Sequence, residues 1–456
     1  MKESVLLLFT CIVNLVTAAQ QLQPNYVFQK DDSVLKKQYF EQSIKQKESL
    51  IASLGAQNSK YYKEAYEDQF KEIGKLLQSS RSVTAPEPNR YLQSVLQKII
   101  AENDELKGKE LRVIFSRDWW PNAYSMGEGT IAINAGLMIF LENEAELAFI
   151  ICHELSHYYL QHTQKAVKKY IETVNSPALQ EELKKLSKEE FKVNQRLEQL
   201  IKTLVFDSRQ HSRSNEAEAD MQAFDFMKKT GYDCKAIESS LHLLDKIDEV
   251  SYYKPLNLEQ VLNFTDYPFK KRWTQKESVI FGQLNEKDGP LTPQEKDSLK
   301  THPDCSTRIS LLSDSIKKIP AGKNFLANEN AFNKLKKDFF PEIVEECYKE
   351  ENLSRNLYYS LQMLQANENT SLAIYSVARC LNELYENQKN HRVGLTIDLE
   401  NKVYPDDYNL LLRMLSRLKL DEIASLNYYF CKQYFEQMKD YPNFREELKK
   451  LQKPQN

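Results

Sequence analysis

Glycine is scarce in this sequence, and neither sign of charge is in clear excess. Only 11 of the 456 residues are glycine, which argues against a glycine-rich phosphate-binding architecture. The formal net charge is −3, so the sequence lacks the clustered basic surface that nucleic-acid binding requires. We therefore expect no nucleic-acid partner.

Long apolar runs and paired cysteines are also missing. The most apolar internal stretch, residues 137–152, is interrupted by Glu142, Glu144 and Glu146, whereas a membrane-spanning helix needs about 18 apolar residues. The seven cysteines are scattered and form no C-x-x-C pair. After Cys11 we expect isolated buried thiols, although an exported protein could pair some of them.

The N-terminus has the pattern of a signal peptide. Lys2 is followed by an apolar run of about 12 residues, 5–16, which suits a signal-peptide core and is too short for a membrane span. Small residues predict cleavage after Ala18 or Ala19; the alternative is an uncleaved anchor. We expect residues 1–19 to be removed and the protein to be exported to the periplasm or cell envelope, or secreted.

The remaining sequence predicts a predominantly α protein with a small β-sheet, an α+β fold. Long segments rich in Lys, Glu, Leu and Gln favour helices. Residues 111–115 and 130–134 have the apolar pattern of strands. Residues 353–390 match a helical hairpin of tetratricopeptide-like length, although the small-residue pattern of that repeat is poorly kept.

Residues 150–162, IICHELSHYYLQH, carry the most specific pattern. His153 and His157 are four residues apart, so on a helix both imidazoles lie on one face and can bind one ion at about 2.0–2.1 Å. Glu154 is rotated by about 100°, which lets it reach a water on that ion instead. Such an H-E-x-x-H pattern arises by chance on the order of once in a hundred such chains, so it predicts a zinc peptidase centre.

A catalytic zinc site needs a third protein ligand. In the segment S-N-E-A-E-A-D, residues 214–220, Glu216 and Asp220 share a helix face. Glu216 is the candidate ligand, and Asp220 the candidate for orienting a ligand histidine. Glu218 lies off that face. Taken alone, an acidic pair of this kind is usually a solvated surface.

Several linked motifs carry a family resemblance over roughly residues 86–315. They are N-A-Y (122–124), G-T-I-A-I (129–133), G-L (136–137), E-A-E-L-A (144–148), H-E-L-S-H (153–157), S-R-S-N-E-A-E-A-D (212–220) and T-H-P-D-C-S-T-R (301–308). Together they resemble the zinc metallopeptidases that include the CAAX prenyl protease, HtpX, BepA and the mitochondrial OMA proteases. Without spanning helices, the chain is most similar to the soluble exported branch.

The resemblance implies a gluzincin-like metallopeptidase domain over residues 86–318 and one Zn²⁺ per chain, held by His153, His157 and Glu216. It also implies a catalytic role for His302, either as an inhibitory fourth ligand or as a donor to the transition-state oxyanion. The resemblance does not extend clearly to residues 20–85, an N-terminal helical segment, or to residues 319–456, a helical C-terminal region that could bind a protein partner.

We therefore expect a zinc metalloendopeptidase that hydrolyses misfolded or unassembled exported polypeptides, with Glu154 taking a proton from the zinc-bound water. We expect an extended substrate to pair with an exposed edge of the second strand and to contact Asn122, which could equally cap a turn. The expected substrate-binding strand residues are Thr130, Ile131, Ala132 and Ile133.

Two alternatives remain open. The protein could be a non-catalytic, chaperone-like binding protein with a structural or silenced metal site, although Glu154 would have no use there. It could also be a zinc aminopeptidase, which would require a free N-terminus and trim residues one by one.

Overall fold

The computed structural model describes residues 26, 28–54, 59–186, 213–247, 252–275, 305–402 and 404–451. The chain divides into two compact units. The first comprises Gln29–Asp248 with Glu286–Ile343, and the second comprises Met1–Phe28, Glu249–Asn285 and Val344–Asn456. Within the described residues, no helix is both long enough and apolar enough to cross a membrane.

Helices make up most of the described chain, which confirms the predicted class. In chain order they are α1 (Ser33–Ala52), α2 (Ser59–Gln78), α3 (Pro86–Ala101), α4 (Ala135–Met138), α5 (Glu144–Tyr159), α6 (His162–Val174), α7 (Pro177–Leu186), α8 (residues 213–227), α9 (Lys235–Lys246), α10 (Leu258–Val261), α11 (Cys305–Ile316), α12 (Glu329–Lys349), α13 (Leu353–Ala366), α14 (Thr370–Lys389), α15 (Asp406–Arg417), α16 (Leu420–Met438) and α17 (Pro442–Lys450). Short 3₁₀ turns occupy Asp104–Leu106, Lys271–Trp273 and Val393–Leu395.

The first unit contains a mixed four-stranded sheet in the order β1-β2-β4-β3. Its strands are β1 (Ser82–Val83), β2 (Arg112–Ser116), β3 (Ala123–Ser125) and β4 (Thr130–Asn134). Strand β4 runs parallel to β2 and antiparallel to β3, and β1 runs antiparallel to β2. The predicted strands are therefore present, with the first displaced by one residue.

The expectation that residues 130–134 form an exposed edge is wrong. Strand β4 has a partner on each side, and all five of its side chains are buried. The apolar pattern that the sequence shows at residues 130–134 belongs to an internal strand, because a short strand from residues 123–125 adds outside it. Among the described residues, β3 is the edge of the sheet on this side.

Helix α5, which carries the H-E-L-S-H motif, is buried along nearly its whole length. It packs against β3, α3, α6 and α9. The Asn143 side chain caps its first turn by accepting the N–H of Glu146 at 3.1 Å. A helix enclosed in this way cannot rotate or slide without disrupting the core, so its side chains are held in fixed positions.

Glu144 fastens the start of α5 to a distant loop. Its buried carboxylate accepts N–H groups of three consecutive residues, 326–328, at 2.5–3.0 Å, and the hydroxyls of Tyr91 and Tyr232 at 3.0 and 2.7 Å. Burial alone would raise the pKa of Glu144, but these donors outweigh it and hold the pKa below its usual value. The charged carboxylate is therefore fully satisfied in the interior.

The second unit is built around one helical core. Its buried members come from the segment around α10 and from α13–α17. Helices α13 and α14 form the hairpin expected over residues 353–390, and Asn367 ends α13 in the left-handed conformation that a tight reversal favours. All six cysteines after Cys11 are buried thiols, as expected.

We predict that Glu144→Ala lowers the free energy of unfolding by about 2–4 kcal/mol, because it leaves several buried donors without an acceptor. Urea denaturation near neutral pH would measure this change. Glu142→Ala, the control at an exposed neighbour on the same segment, should cost less than about 0.5 kcal/mol.

The stabilisation by Glu144 should also depend on pH. Since the pKa of Glu144 is depressed, its contribution to the free energy of unfolding is present above the unfolded-state pKa and lost as pH falls through the folded-state pKa. Equal costs for the two variants would contradict the prediction.

Candidate metal centre

Helices α5 and α8 bring the three predicted ligands together. The Nε2 atoms of His153 and His157 lie 3.1 Å apart. The carboxylate of Glu216 lies 3.5 Å from Nε2 of His153 and 3.4 Å from Nε2 of His157. Among the described residues, these three side chains form a group able to hold a metal ion. The four-residue spacing on α5 thus gives the shared face that the sequence predicted.

The donor set fits a tetrahedral ion. Metal–ligand bonds of about 2.0–2.1 Å in tetrahedral geometry place neighbouring donors roughly 3.3 Å apart. The observed separations of 3.1, 3.4 and 3.5 Å are close to that value. Two imidazoles and one carboxylate also leave a coordination position open, as in catalytic rather than structural zinc sites. The site is therefore suited to a catalytic divalent metal.

Asp220 lies behind His153, as the sequence predicted. Its Oδ1 is 2.9 Å from Nδ1 of His153, on the opposite side of the ring from the ligand atom. Arg308 from α11 donates Nε and Nη2 to the same carboxylate at 2.5 and 2.8 Å, and its Nη1 lies 3.1 Å from Oε2 of Glu216. The side chains of His153, Asp220 and Arg308 are almost wholly buried.

Arg308 is a site residue to which sequence reasoning gave no role. It stands in the T-H-P-D-C-S-T-R motif, 88 residues after Asp220, and such a separation gives no hint of contact. The available signal was weak: an arginine stands in a motif that the family resemblance links to the motif containing Glu216 and Asp220. Burial would raise the pKa of Asp220, but hydrogen bonds from Arg308 and His153 outweigh it and keep the pKa low.

Glu154 is buried on α5 between the two histidine ligands in sequence. A rotation of about 100° per residue directs it away from the face shared by His153 and His157. Glu154 is therefore not part of the ligand group, and its role as a base stays a prediction.

His162 makes a contact with the second ligand. Its Nδ1 lies 2.9 Å from Nδ1 of His157, and its Nε2 lies 3.1 Å from Oε2 of Glu218. Burial lowers the pKa of His162, an effect that the nearby Glu218 carboxylate only partly offsets. Glu218, which the sequence placed off the ligand face, thus lies next to the histidine that touches His157.

The remaining predicted residues divide into three groups. Asn122 directly precedes the edge strand β3, and its carbonyl accepts the N–H of Asn134 at 2.9 Å. The expected substrate residues Thr130, Ile131, Ala132 and Ile133 are buried inside the sheet. His302 lies outside the described residues.

Comparisons with known proteins agree with this arrangement. The family described as "Peptidase family M48" matches residues 86–316, which is about half of the chain. A protein of Vibrio cholerae serotype O1 named "Putative beta-barrel assembly-enhancing protease" is 24% identical over 159 residues. The match covers 34% of this chain and 32% of that protein, so the chain aligns with about a third of its relative.

We predict that metal binding releases on the order of one proton near neutral pH. In the metal-free protein, burial by itself lowers the pKa of His153, but the carboxylates of Asp220 and Glu216 outweigh it and raise the pKa to about 10. An ion that binds Nε2 must therefore displace a proton. Calorimetric titration in buffers of different ionisation enthalpy would count the protons released.

Asp220→Asn should reduce this proton release, because it removes a carboxylate that raises the pKa of His153. Asp225→Asn is the matched control, since Asp225 lies on the same helix and pairs with Lys228 at the surface. Unchanged proton release in Asp220→Asn would show that the carboxylate does not control the charge on His153.

Proposed function

Because the chain belongs to Peptidase family M48, we propose that it is a zinc-dependent metalloendopeptidase that cleaves misfolded or unassembled exported polypeptides. The observation that carries the proposal is the convergence of His153, His157 and Glu216, with the buried Glu154 next to His153 in the sequence. A peptidase centre needs this combination of three ligands, an open position and a carboxylate base.

Zinc suits the donor set, because two imidazole nitrogens and one carboxylate oxygen are characteristic ligands of its catalytic sites. When bound, the ion supplies Lewis acidity, which polarises the scissile carbonyl and lowers the pKa of water. Asp220 and Arg308 hold His153 in the orientation that presents Nε2, and Arg308 also fixes one oxygen of Glu216.

Glu154 is the proposed general base. It takes a proton from the attacking water and delivers it to the amine nitrogen of the leaving peptide, so one carboxylate serves both halves of the reaction. His302 is the second proposed catalytic residue, either as a donor to the developing oxyanion or as an inhibitory fourth ligand of the resting site.

Strand β3 is the proposed substrate-binding edge. The N–H of Met126 bonds to Thr130, and the N–H of Asn134 bonds to Asn122, each at 2.9 Å. Since hydrogen-bonded pairs alternate along an antiparallel ladder, the backbone groups of Ala123 and Ser125 face away from β4. An extended peptide added there would lie beside α5, which packs against β3.

The proposed cellular role draws on two further observations. The N-terminal apolar run favours export, and the relative is named for β-barrel assembly, a process of the cell envelope. On these grounds we propose that the protein is exported to the periplasm or cell envelope, with secretion as the alternative. The helical second unit is the proposed site for a protein partner, because helical hairpins present extended surfaces for binding polypeptides.

We predict that Glu154→Gln lowers kcat for an unfolded substrate such as casein by about 10²–10⁴-fold, because the amide cannot accept the proton. Metal content should stay at that of the wild type. Chelation should abolish cleavage by the wild type, and added Zn²⁺ should restore it. Gel assays and mass spectrometry of the cut sites would measure both effects.

The same experiment separates the alternatives. Internal cut sites support an endopeptidase, whereas stepwise loss of N-terminal residues identifies an aminopeptidase. Binding of casein without cleavage, unaffected by chelator, would favour the chaperone-like protein and contradict the proposal.

We also predict that Ser125→Pro raises KM for unfolded substrates about 5–10-fold, the effect of losing one outward-facing backbone donor. Ser125→Ala is the control, because it keeps the N–H and alters only the side chain. Metal affinity should be unchanged in both variants. A proline variant with wild-type KM would exclude pairing of the substrate with this edge.

A further inference from the structure

His162 occupies a position that the catalytic scheme does not use. It is the first residue of α6 and is buried, and it follows α5 after a corner of two residues. Gln161 in that corner has the left-handed conformation, with φ of 57°, which costs a non-glycine residue roughly 1–2 kcal/mol. The strained corner turns the chain back, so that the His162 ring meets the ring of His157.

The hydrogen positions along this contact follow from the ligand role of His157. A neutral imidazole has one donor and one acceptor nitrogen. If Nε2 of His157 offers its lone pair to an ion, its proton must be on Nδ1 and points to Nδ1 of His162 at 2.9 Å. That nitrogen must then accept, so the proton of His162 is on Nε2 and points to the Glu218 carboxylate at 3.1 Å.

One arrangement of protons thus satisfies three side chains in a row. His162 cannot itself be a ligand in this geometry, because it faces Nδ1 of His157 while the candidate ion site lies at Nε2. The row also parallels the one behind the other ligand, where Nδ1 of His153 faces Asp220. The two rows differ in one respect: Asp220 is buried and paired with Arg308, whereas Glu218 is 48% exposed.

We propose that His162 is a positioning residue of the metal centre, which accepts Nδ1–H of His157, donates Nε2–H to Glu218, and thereby fixes the His157 tautomer and ring orientation for metal binding. The inference rests on the proposed function, since it assumes that an ion binds at this site. Partners that orient histidine ligands typically contribute about 10–100-fold to metal affinity.

The test measures Zn²⁺ affinity by competition with a chromophoric chelator, together with the absorption spectrum of the Co²⁺-loaded protein. His162→Leu should weaken Zn²⁺ binding about 10–100-fold and alter the Co²⁺ spectrum. His162→Asn should recover most of the affinity, because its Oδ1 can accept the hydrogen bond from His157. Glu218→Gln should lose less than about tenfold, since the amide oxygen still accepts a hydrogen bond.

Glu172→Gln is the matched control for Glu218→Gln, because Glu172 is a similarly exposed glutamate and pairs with Lys168 one turn away on the surface of α6. It should bind Zn²⁺ like the wild type. Thermal unfolding of each metal-free variant distinguishes loss of positioning from loss of folding. If His162→Leu does not fold, the Asn and Gln variants still decide the matter by their affinities and spectra.

Wild-type affinity in His162→Leu, or equal impairment of His162→Asn and His162→Leu at unchanged metal-free stability, would overturn the inference. Failure of the wild type to bind either ion would overturn the proposed function and this inference with it. The expected affinities in a protein that cleaves no peptide would support the positioning role and contradict the peptidase activity alone.

Discussion

The contact between Asp220 and His153 is the interaction on which the rest of the candidate site depends. It joins α5 to α8, and Arg308 joins the same carboxylate to α11. Three segments that are distant in sequence therefore meet at one buried charge. Without this meeting point, Glu216 would have no fixed relation to the two histidines, because it stands one helical turn before Asp220.

Burying these charges is costly unless they are fully paired. Arg308 satisfies Asp220 with two hydrogen bonds, and its remaining nitrogen lies beside Glu216. Removing one member of such a buried group typically costs about 3–5 kcal/mol, because the others are left without partners. The same arrangement that positions the ligands therefore also ties the site to the stability of the first unit. Glu144 has a comparable role at the other end of α5.

The sequence predicted those features that depend on local periodicity. The four-residue spacing of His153 and His157, and that of Glu216 and Asp220, follows directly from helix geometry. The membership of residues 130–134 in a strand followed from alternation. These inferences succeed because each depends only on residues close together in the chain.

The features that were missed depend on contacts between distant segments. Alternation could not tell that β4 is internal, because side chains point to the two faces of a sheet, whereas neighbouring strands pair with the backbone at the two edges. Arg308 reaches its partners across 88 residues. The contact of His162 with His157 needs a left-handed backbone conformation at Gln161, and a glutamine in the sequence does not predict that conformation.

The shortness of β3 has a consequence for what the protein can act upon. Three residues give an edge with only two positions that face outward, so main-chain pairing there contributes little free energy and little side-chain discrimination. If the proposed function is correct, a substrate polypeptide, the client, must break several of its own backbone hydrogen bonds before it can pair with this edge. A native domain would have to open locally to do so, whereas an unfolded one would not. The choice of substrate would then depend on the local unfolding equilibrium of the client. Whether a chain is folded, more than its amino-acid composition, would determine whether it is cleaved.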